Sequence, residues 1–504
     1  MKRDILGFIT AILILTLGPP NFGDSAEPQE PRAKRPNFVF FLTDDFGWRD
    51  AGCFGSTFYE TPNLDRLARQ GMRFTSAYAA CPVCSPTRAS IMTGKYPARL
   101  GTTEYFGGPQ PDAVARHWTR NKPLLPARYL DRLPLEETTI AEALKAGGYS
   151  TFFAGKWHLG PRGYWPEDQG FDGNAGGHGA GAPSSYFSPY KNPKLADGPK
   201  GEHLDDRLAA ESIKFLEQVG QKPFFLYQAF YSVHIPLQAK RELIAKYEAK
   251  RQGVKIEGPR FKPEGDRQAR QVQDHALYAA MIETMDHSVG LVLDALDRLG
   301  LAENTVVFFM SDNGGLSTSE GTPTCNLPLR AGKGWLYEGG IREPMIVKWP
   351  GVAKPGSTSS VPVISTDFYP TILEMAGLPA RPEQHVDGVS MVPLLKQTGA
   401  PAERAFYWHY PHYGNQGGTP GGAVREGDWK LIEFFEDHHL ELYNLSTDLG
   451  EQHNLVAQEQ KRTAKMHEKL KAWRAAVGAR MTSPNPNRTD GERGHASATS
   501  CVAD

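Results

Sequence analysis

Five consecutive residues, Cys84-Ser85-Pro86-Thr87-Arg88, bring a potential nucleophile, an anion seat and a planar cation into little more than one helical turn. Pro86 suits the first turn of a helix, where its missing N–H leaves nothing unpaired. The free N–H groups and positive dipole end of such a turn attract an anion. Arg88, one turn further on, can grip a tetrahedral oxyanion in bidentate fashion. Cys81 and Cys84 also form a Cys-x-x-Cys pair, so a disulfide or redox centre is the competing reading of the same residues.

Other chemistry-bearing groups sit where buried strands should end. Residues 37–43, NFVFFLT, are continuously apolar, as in a strand covered on both faces, and they run into Asp44-Asp45. Residues 304–310 form a second such run, closing on Asp312-Asn313-Gly314-Gly315. Open α/β sheets place ligands at the carboxyl ends of their strands, and these oxygen pairs suit a hard divalent cation. The run 149–154 leads into GKWHLG, where Lys156 and His158, two apart in extended chain, should point the same way. Residues 222–232 end at His234-Ile235-Pro236, and Lys333 lies in the glycine-bracketed turn of LRAGKGWLYEGGIREP. A glycine-rich loop at 169–190 carries His178 without phosphate-loop spacing.

In order along the chain, these segments resemble the type I sulfatases, whose signature is Cys-x-Pro-x-Arg followed by a basic Thr-Gly-Lys/Arg segment. Seven motifs occur in the family's order over residues 37–350, and REGDWKLI and ELYNL are similar to its smaller subdomain. The resemblance implies that Cys84 is oxidised to formylglycine (3-oxoalanine). It also implies that Asp44, Asp45, Asp312 and Asn313, together with the modified Cys84, bind one calcium ion. Arg88, Lys156 and Lys333 would hold the nucleophile and the sulfate charge. His158 would serve as base in the second half of a two-step displacement at sulfur, and His234 or Lys333 as acid toward the leaving oxygen. Lys95 either supports the signature turn or is a surface lysine. His178, His409, His412 and Arg425, expected in loops outside the shared core, are the candidate substrate-pocket residues.

The elements that must position these groups read as strand, helix, strand from 37 to about 380: an α/β fold with a mostly parallel sheet between helices, alkaline phosphatase-like by resemblance. Helices are expected at 61–71, 138–147 and 275–299. Residues 37–388 form the expected catalytic domain and 389–480 a small α+β subdomain with an antiparallel sheet and a closing helix at 459–477. Residues 481–504 read as a disordered tail. Residues 1–26 have the charged start, short apolar run and small-residue end of a signal peptide, with 27–36 as linker. This points to a periplasmic or secreted protein with no membrane span in the mature chain.

A net charge of −1 argues against nucleic acid and long polyanions as partners. The expected partners are a sulfated small molecule or oligosaccharide and, transiently, a formylglycine-generating or sulfatase-maturating enzyme. Two other readings compete. One is a phosphoester or phosphonate hydrolase of the same superfamily, although its two-metal sites need further His and Asp ligands. The other is an inactive glycan-binding relative, against which stands the presence of every catalytic residue type.

Overall fold

The computed structural model describes residues 35–488; the candidate signal peptide, nearly all of the linker and residues 489–504 lie outside them. Its frame is a nine-stranded sheet. In chain order the strands are β1 (Asn37–Thr43), β2 (Met72–Tyr78), β3 (Ser150–Gly155), β4 (Gly173–Ala175), β5 (Phe224–Ala229), β6 (Thr305–Ser311), β7 (Arg342–Lys348), β8 (Ser357–Ser359) and β9 (Val363–Ile364). The spatial order is β8-β2-β7-β6-β1-β5-β3-β4, with β9 also on β2. Only β7 runs antiparallel to its neighbours, β6 and β2.

β1 is buried along its whole length at the centre, as its unbroken apolar sequence requires. Alternate residues feed two cores. Phe38, Phe40 and Leu42 join Tyr227, Phe308 and the helix Phe368–Met375 on one face. Val39 and Phe41 meet the helices Pro62–Gln70, Leu204–Gln218 and Ala276–Arg298 on the other. Phe40 lies in register with Tyr227 and Phe308, its ring centroid 4.9 Å and 5.6 Å from theirs. The register also aligns the strand ends: Thr43 pairs with Ser311, Leu42 with Ala229 and Gly155 with Ala229. Residues just beyond those ends therefore converge on one edge of the sheet.

The smaller sheet is an antiparallel meander of β10 (Ala405–Tyr410), β11 (Gly421–Glu426), β12 (Trp429–Phe434) and β13 (Leu440–Asn444). The helix Gln460–Ala476 covers one face through Met466 and Leu470. Trp408, Ala423 and Ile432 bury the other against Tyr78, Trp335 and Ile341. In that contact the fully buried Lys430 Nζ lies 3.0 Å from Glu338 Oε1 and 2.8 Å from Glu451 Oε1.

Three expectations need correction. Residues 481–488 are part of the fold, not a disordered tail: Ser483–Pro484 pair with Leu124–Leu125. Asn485 Nδ2 donates to the carbonyls of Arg120 (2.8 Å) and Lys122 (2.9 Å), so a polar segment is fixed by backbone partners that composition does not reveal. The stretch 423–435, which its sequence suggests is a single short strand, is two strands turned at Gly427 (φ 58°). The helix Arg241–Arg251 and the hairpin Phe261–Glu264/Arg267–Arg270 were not anticipated; both are polar and carry little periodic signal.

Two buried carboxyls outside the site give this frame a pH response. Burial raises Asp286 to about 6, against hydrogen bonds from the N–H groups of Leu64 (2.8 Å) and Asn63 (3.1 Å). Burial likewise raises Asp205 to about 7, although Ser232 Oγ donates to it at 2.6 Å. The folded state thus holds these protons more tightly than the unfolded chain, where carboxyls titrate near ~4. Their stabilising effect is complete below that value and is lost as pH rises through 6 to 7. Thermal melts are expected to give a higher Tm at about pH 5.5 than at pH 8, and Asp286→Asn to narrow the gap; an unchanged gap would refute the assignment.

Candidate active site

The Cys84–Thr93 helix is buried at all ten positions. Val83 enters it in extended conformation, which leaves Cys84 at the open N-terminal turn, and Gly94 stops it at φ 71°. A side chain at Gly94 would also meet His385 Cβ at 2.5 Å, so glycine is required there on both counts. Arg88 then reaches across the strand ends. Its Nε donates to Asp312 Oδ2 at 2.7 Å and its Nη1 to the Lys156 carbonyl at 2.7 Å.

The residues following β1, β3 and β6 interlock as the register demands. Lys156 Nζ donates to Asp44 Oδ2 (2.6 Å), and Asn313 Nδ2 to Asp45 Oδ1 (2.7 Å). Lys333 Nζ lies 2.8 Å from Asp45 Oδ1 and 2.9 Å from Oδ2. His234 Nε2 is 3.7 Å from Asp45 Oδ2. The structure thus brings Asp44, Asp45, Asp312, Asn313, Arg88, Lys156, Lys333 and His234 into one cluster.

Charge in this cluster is set by burial first and by neighbours second. Burial opposes ionisation of Asp45, but Lys333, His234 and Lys156 outweigh it and hold the carboxyl at about 2. Asp44 goes the other way: burial drives it well above the carboxylate range despite Lys156. Burial works against the charge on Lys333 and Arg88 as well, yet Asp45 and Asp312 respectively keep each above its ordinary value. His158 and His234 are pushed well below the imidazole range, by burial and then by Lys156 and Lys333.

Three buried atoms here have no partner: Asp44 Oδ1, Asn313 Oδ1 and Arg88 Nη2. Two orphaned oxygens beside Asp45 and Asp312 form an all-oxygen cradle that fits a hard divalent cation, whose charge would also reverse the unfavourable burial of Asp44. Among the described residues, Asp44, Asp45 and His234 are a group whose ligand atoms lie within 4.8 Å of one another. The orphaned guanidinium nitrogen is a donor awaiting an anion.

His158 takes a local conformation that its sequence neighbours conceal. It has φ 55°, so it does not continue the extended alternation expected from Lys156. Its Nε2 donates to the Phe106 carbonyl (2.9 Å). Because a carbonyl only accepts, that bond places the ring proton on Nε2 and leaves the Nδ1 lone pair 3.4 Å from Cys84 Sγ. Cys53, Cys81, Cys84 and Cys325 are all unbridged, which removes the Cys81–Cys84 disulfide reading.

The four pocket candidates separate. His178 stays at the site, since its backbone carbonyl accepts the His158 N–H at 3.1 Å. His409 and Arg425 are on strands rather than loops, Arg425 in the contact with Tyr78 and His409 on the opposite face of the smaller sheet beside Phe435. His409 Nε2 donates to the Arg480 carbonyl (2.8 Å), while Arg425 bonds the Tyr78 hydroxyl and the Gly427 carbonyl. His412 is buried on Thr103 and Glu104. Aromatic-rich strands bury their polar members, which outweighed the polarity of the surrounding sequence. Lys95 lies away from the cluster, paired with Glu137 at 2.6 Å.

Sequence reasoning missed the supports of the turn that follows β1. Tyr278 Oη donates to the Asp45 carbonyl (3.1 Å) and to Asp50 Oδ2 (2.7 Å), which also accepts the Gly47 N–H at 2.9 Å. Tyr278 lies in a long apolar helix, and its periodicity marks it only as core.

A mostly parallel sheet thus carries an interlocked cluster of buried acidic and basic side chains at its strand ends. Residues 36–378 match the sulfatase family, and residues 331–476 match the C-terminal region of N-sulphoglucosamine sulphohydrolase. A sulfatase of Formosa agariphila is 33% identical over 89% of this chain and 90% of its own. Human arylsulfatase A is 32% identical over 84% of each. The crystal structure of Ps i-CgsB in complex with k-i-k-neocarrahexaose superposes with a TM-score of 0.71 at 29% identity, over 87% of this chain and 93% of that one. The chain belongs to the sulfatase family and is an enzyme that hydrolyses sulfate esters. No helix among the described residues is long and apolar enough to cross a membrane.

Proposed function

We propose that this enzyme removes sulfate from carbohydrates, with formylglycine made from Cys84 as nucleophile and one calcium ion held by Asp44, Asp45, Asp312 and Asn313. The observation that carries the reading is Cys84 at an open helix start, with a proton acceptor 3.4 Å away and the unpaired Arg88 Nη2 in the same cluster. The carbohydrate substrate class is supported by relatives. Canine N-acetylgalactosamine-6-sulfatase is 33% identical over 76% of this chain and 69% of its own, and Ps i-CgsB was solved with a neocarrahexaose.

Hydrated formylglycine would supply a geminal diol, whose second hydroxyl gives a route for sulfate release that serine lacks. Calcium would supply positive charge beside the sulfate oxygens. Around them the chain's own groups have distinct tasks. Arg88 donates its free Nη2 to the sulfate, and Lys156 and Lys333 offset the charge that concentrates on the oxygens in the transition state. His158 Nδ1 accepts a proton at residue 84.

The acid toward the leaving oxygen is Lys333. His234 is kept neutral by burial, and its Nδ1 donates to the Ile235 carbonyl at 2.8 Å, which leaves Nε2 without a proton to give. Lys333 remains protonated. Lys333→Met is accordingly expected to lower kcat by ~10²–10⁴ for a sugar sulfate. For a nitrophenyl sulfate, whose leaving group needs little protonation, the loss should be far smaller. Equal losses on both substrates would refute the assignment.

The segment 1–26 supports export to the periplasm or beyond the cell, and Cys84 requires a formylglycine-generating or sulfatase-maturating enzyme as a transient partner. Mass spectrometry of the tryptic peptide containing Cys84, run beside aryl sulfate hydrolysis with and without chelator, tests the nucleophile and the metal, and sulfate release from a sulfated galactosamine tests the substrate class. Thiol-to-aldehyde conversion and chelator-sensitive turnover are expected. Calcium at ~100 times its Kd should also stabilise the fold by about 2.7 kcal/mol. An unmodified thiol in active protein would sink the formylglycine mechanism.

A further inference from the structure

His158 depends on a single contact for its role: the Phe106 carbonyl fixes its tautomer. Phe106 is itself tied down, since its N–H donates to Ser85 Oγ (3.1 Å) at the start of the Cys84–Thr93 helix. Two residues before it, Glu104 Oε1 accepts from the Tyr105 N–H (2.9 Å) and from the Tyr410 hydroxyl (3.1 Å). Glu104 Oε2 lies 3.4 Å from His412 Nδ1, and His412 Nε2 bonds Thr103 Oγ1 at 2.9 Å. Glu104 and His412 are each 1% exposed.

Such burial is costly for ionisable groups without a partner, and neither of these side chains has a task in the reaction described above. His412 Nδ1 has no hydrogen-bond partner in its present geometry, and Glu104 Oε2 is the carboxylate oxygen facing it. Burial raises Glu104 to about 8, against the bonds from Tyr105 and Tyr410, and pushes His412 well below the imidazole range. A protonated carboxyl beside a neutral imidazole satisfies both conditions with one shared proton. Two of the anchoring groups, Tyr410 and His412, come from the smaller subdomain.

We propose that Glu104 and His412 form a positioning couple that fixes residues 103–106 and, through the Phe106 carbonyl, holds His158 in the tautomer that presents Nδ1 to residue 84. The proposal rests on the reading of His158 as the proton acceptor there. The couple acts through His158 and does not touch the substrate.

The test compares Glu104→Ala and Glu104→Gln, each alone and on a His158→Ala background, in full-length matured enzyme with an aryl sulfate. Glu104→Ala is expected to lower kcat by ~10–100-fold with KM nearly unchanged, the usual cost of losing a group that orients an active-site ligand. Glutamine keeps an acceptor for Tyr105 and Tyr410 and offers an amide to His412 Nδ1, so it should recover most of kcat. On the His158→Ala background, Glu104→Ala should cost less than about twofold. His412→Asn gives a second route if Glu104→Ala does not fold.

A further measurement uses unmatured protein carrying the Cys84 thiol. Its alkylation by iodoacetamide, followed on the Cys84 peptide, should slow at least ~fivefold in Glu104→Ala as the proton acceptor is lost. Equal kcat losses on both backgrounds overturn the proposal, and so does a raised KM with kcat intact, or an unchanged alkylation rate. Wild-type enzyme that releases no sulfate would instead sink the catalytic reading, leaving the alkylation rates to decide the couple.

Discussion

Cys84→Ala is expected to abolish turnover, with kcat on an aryl sulfate falling by ~10⁴-fold or more, because the proposed nucleophile cannot be replaced by its neighbours. The side chain is small and buried at a helix start, so the thermal midpoint should move by only a degree or two. Cys84→Ser tests the chemistry more sharply. Serine keeps an oxygen within reach of His158 Nδ1 but has only one hydroxyl. A single stoichiometric burst of aryl alcohol without sustained turnover is the expected trace. Sustained turnover by the serine variant would show that a second hydroxyl at residue 84 is dispensable.

Arg88→Met should damage activity and folding together. Arg88 is 2% exposed and its partner Asp312 fully buried, so in calcium-free protein the variant leaves an uncompensated carboxylate at the strand ends. Breaking such a pair from one side costs about 3–5 kcal/mol. Denaturant unfolding should show that loss, and kcat should fall by ~10³-fold with the missing Nη2 donor. Adding Asp312→Asn removes the stranded charge, so stability should partly return while activity does not. Recovery of activity in the double variant would separate Arg88 from the sulfate.

The parts of the fold legible in the sequence are those specified locally. β1 and β6 are apolar throughout because both faces are covered, and each ends in oxygen-bearing side chains whose convergence follows from parallel register. The Cys84 turn was legible because proline, cysteine and arginine have narrow roles at a helix start. Long-range pairings left no local trace. Nothing within residues 342–348 announces that β7 runs against its neighbours, since either direction buries the same side chains. The φ of His158 and its bond to Phe106, 52 residues away, belong to the assembled loops. His409 and Arg425 were misplaced for a related reason. In sequence Arg425 sits among glycines and charged residues and His409 among aromatics, and neither setting shows that their neighbours in space are Tyr78 and Phe435.

The ionic contact under the smaller sheet has a consequence for how this architecture can be divided. Lys430 supplies the positive charge for Glu338, whose other oxygen accepts from the Tyr78 hydroxyl at 2.7 Å. Glu451 adds a second carboxylate and accepts the Glu338 N–H. Cutting the chain near residue 388 would remove Lys430 and leave Glu338 with Arg342 as its remaining cation, 3.3 Å away, beside an apolar wall that the subdomain completes. The C-terminal portion is therefore no exchangeable cassette. A chimera that takes it from a relative must bring residues matching 78, 338 and 342 as well.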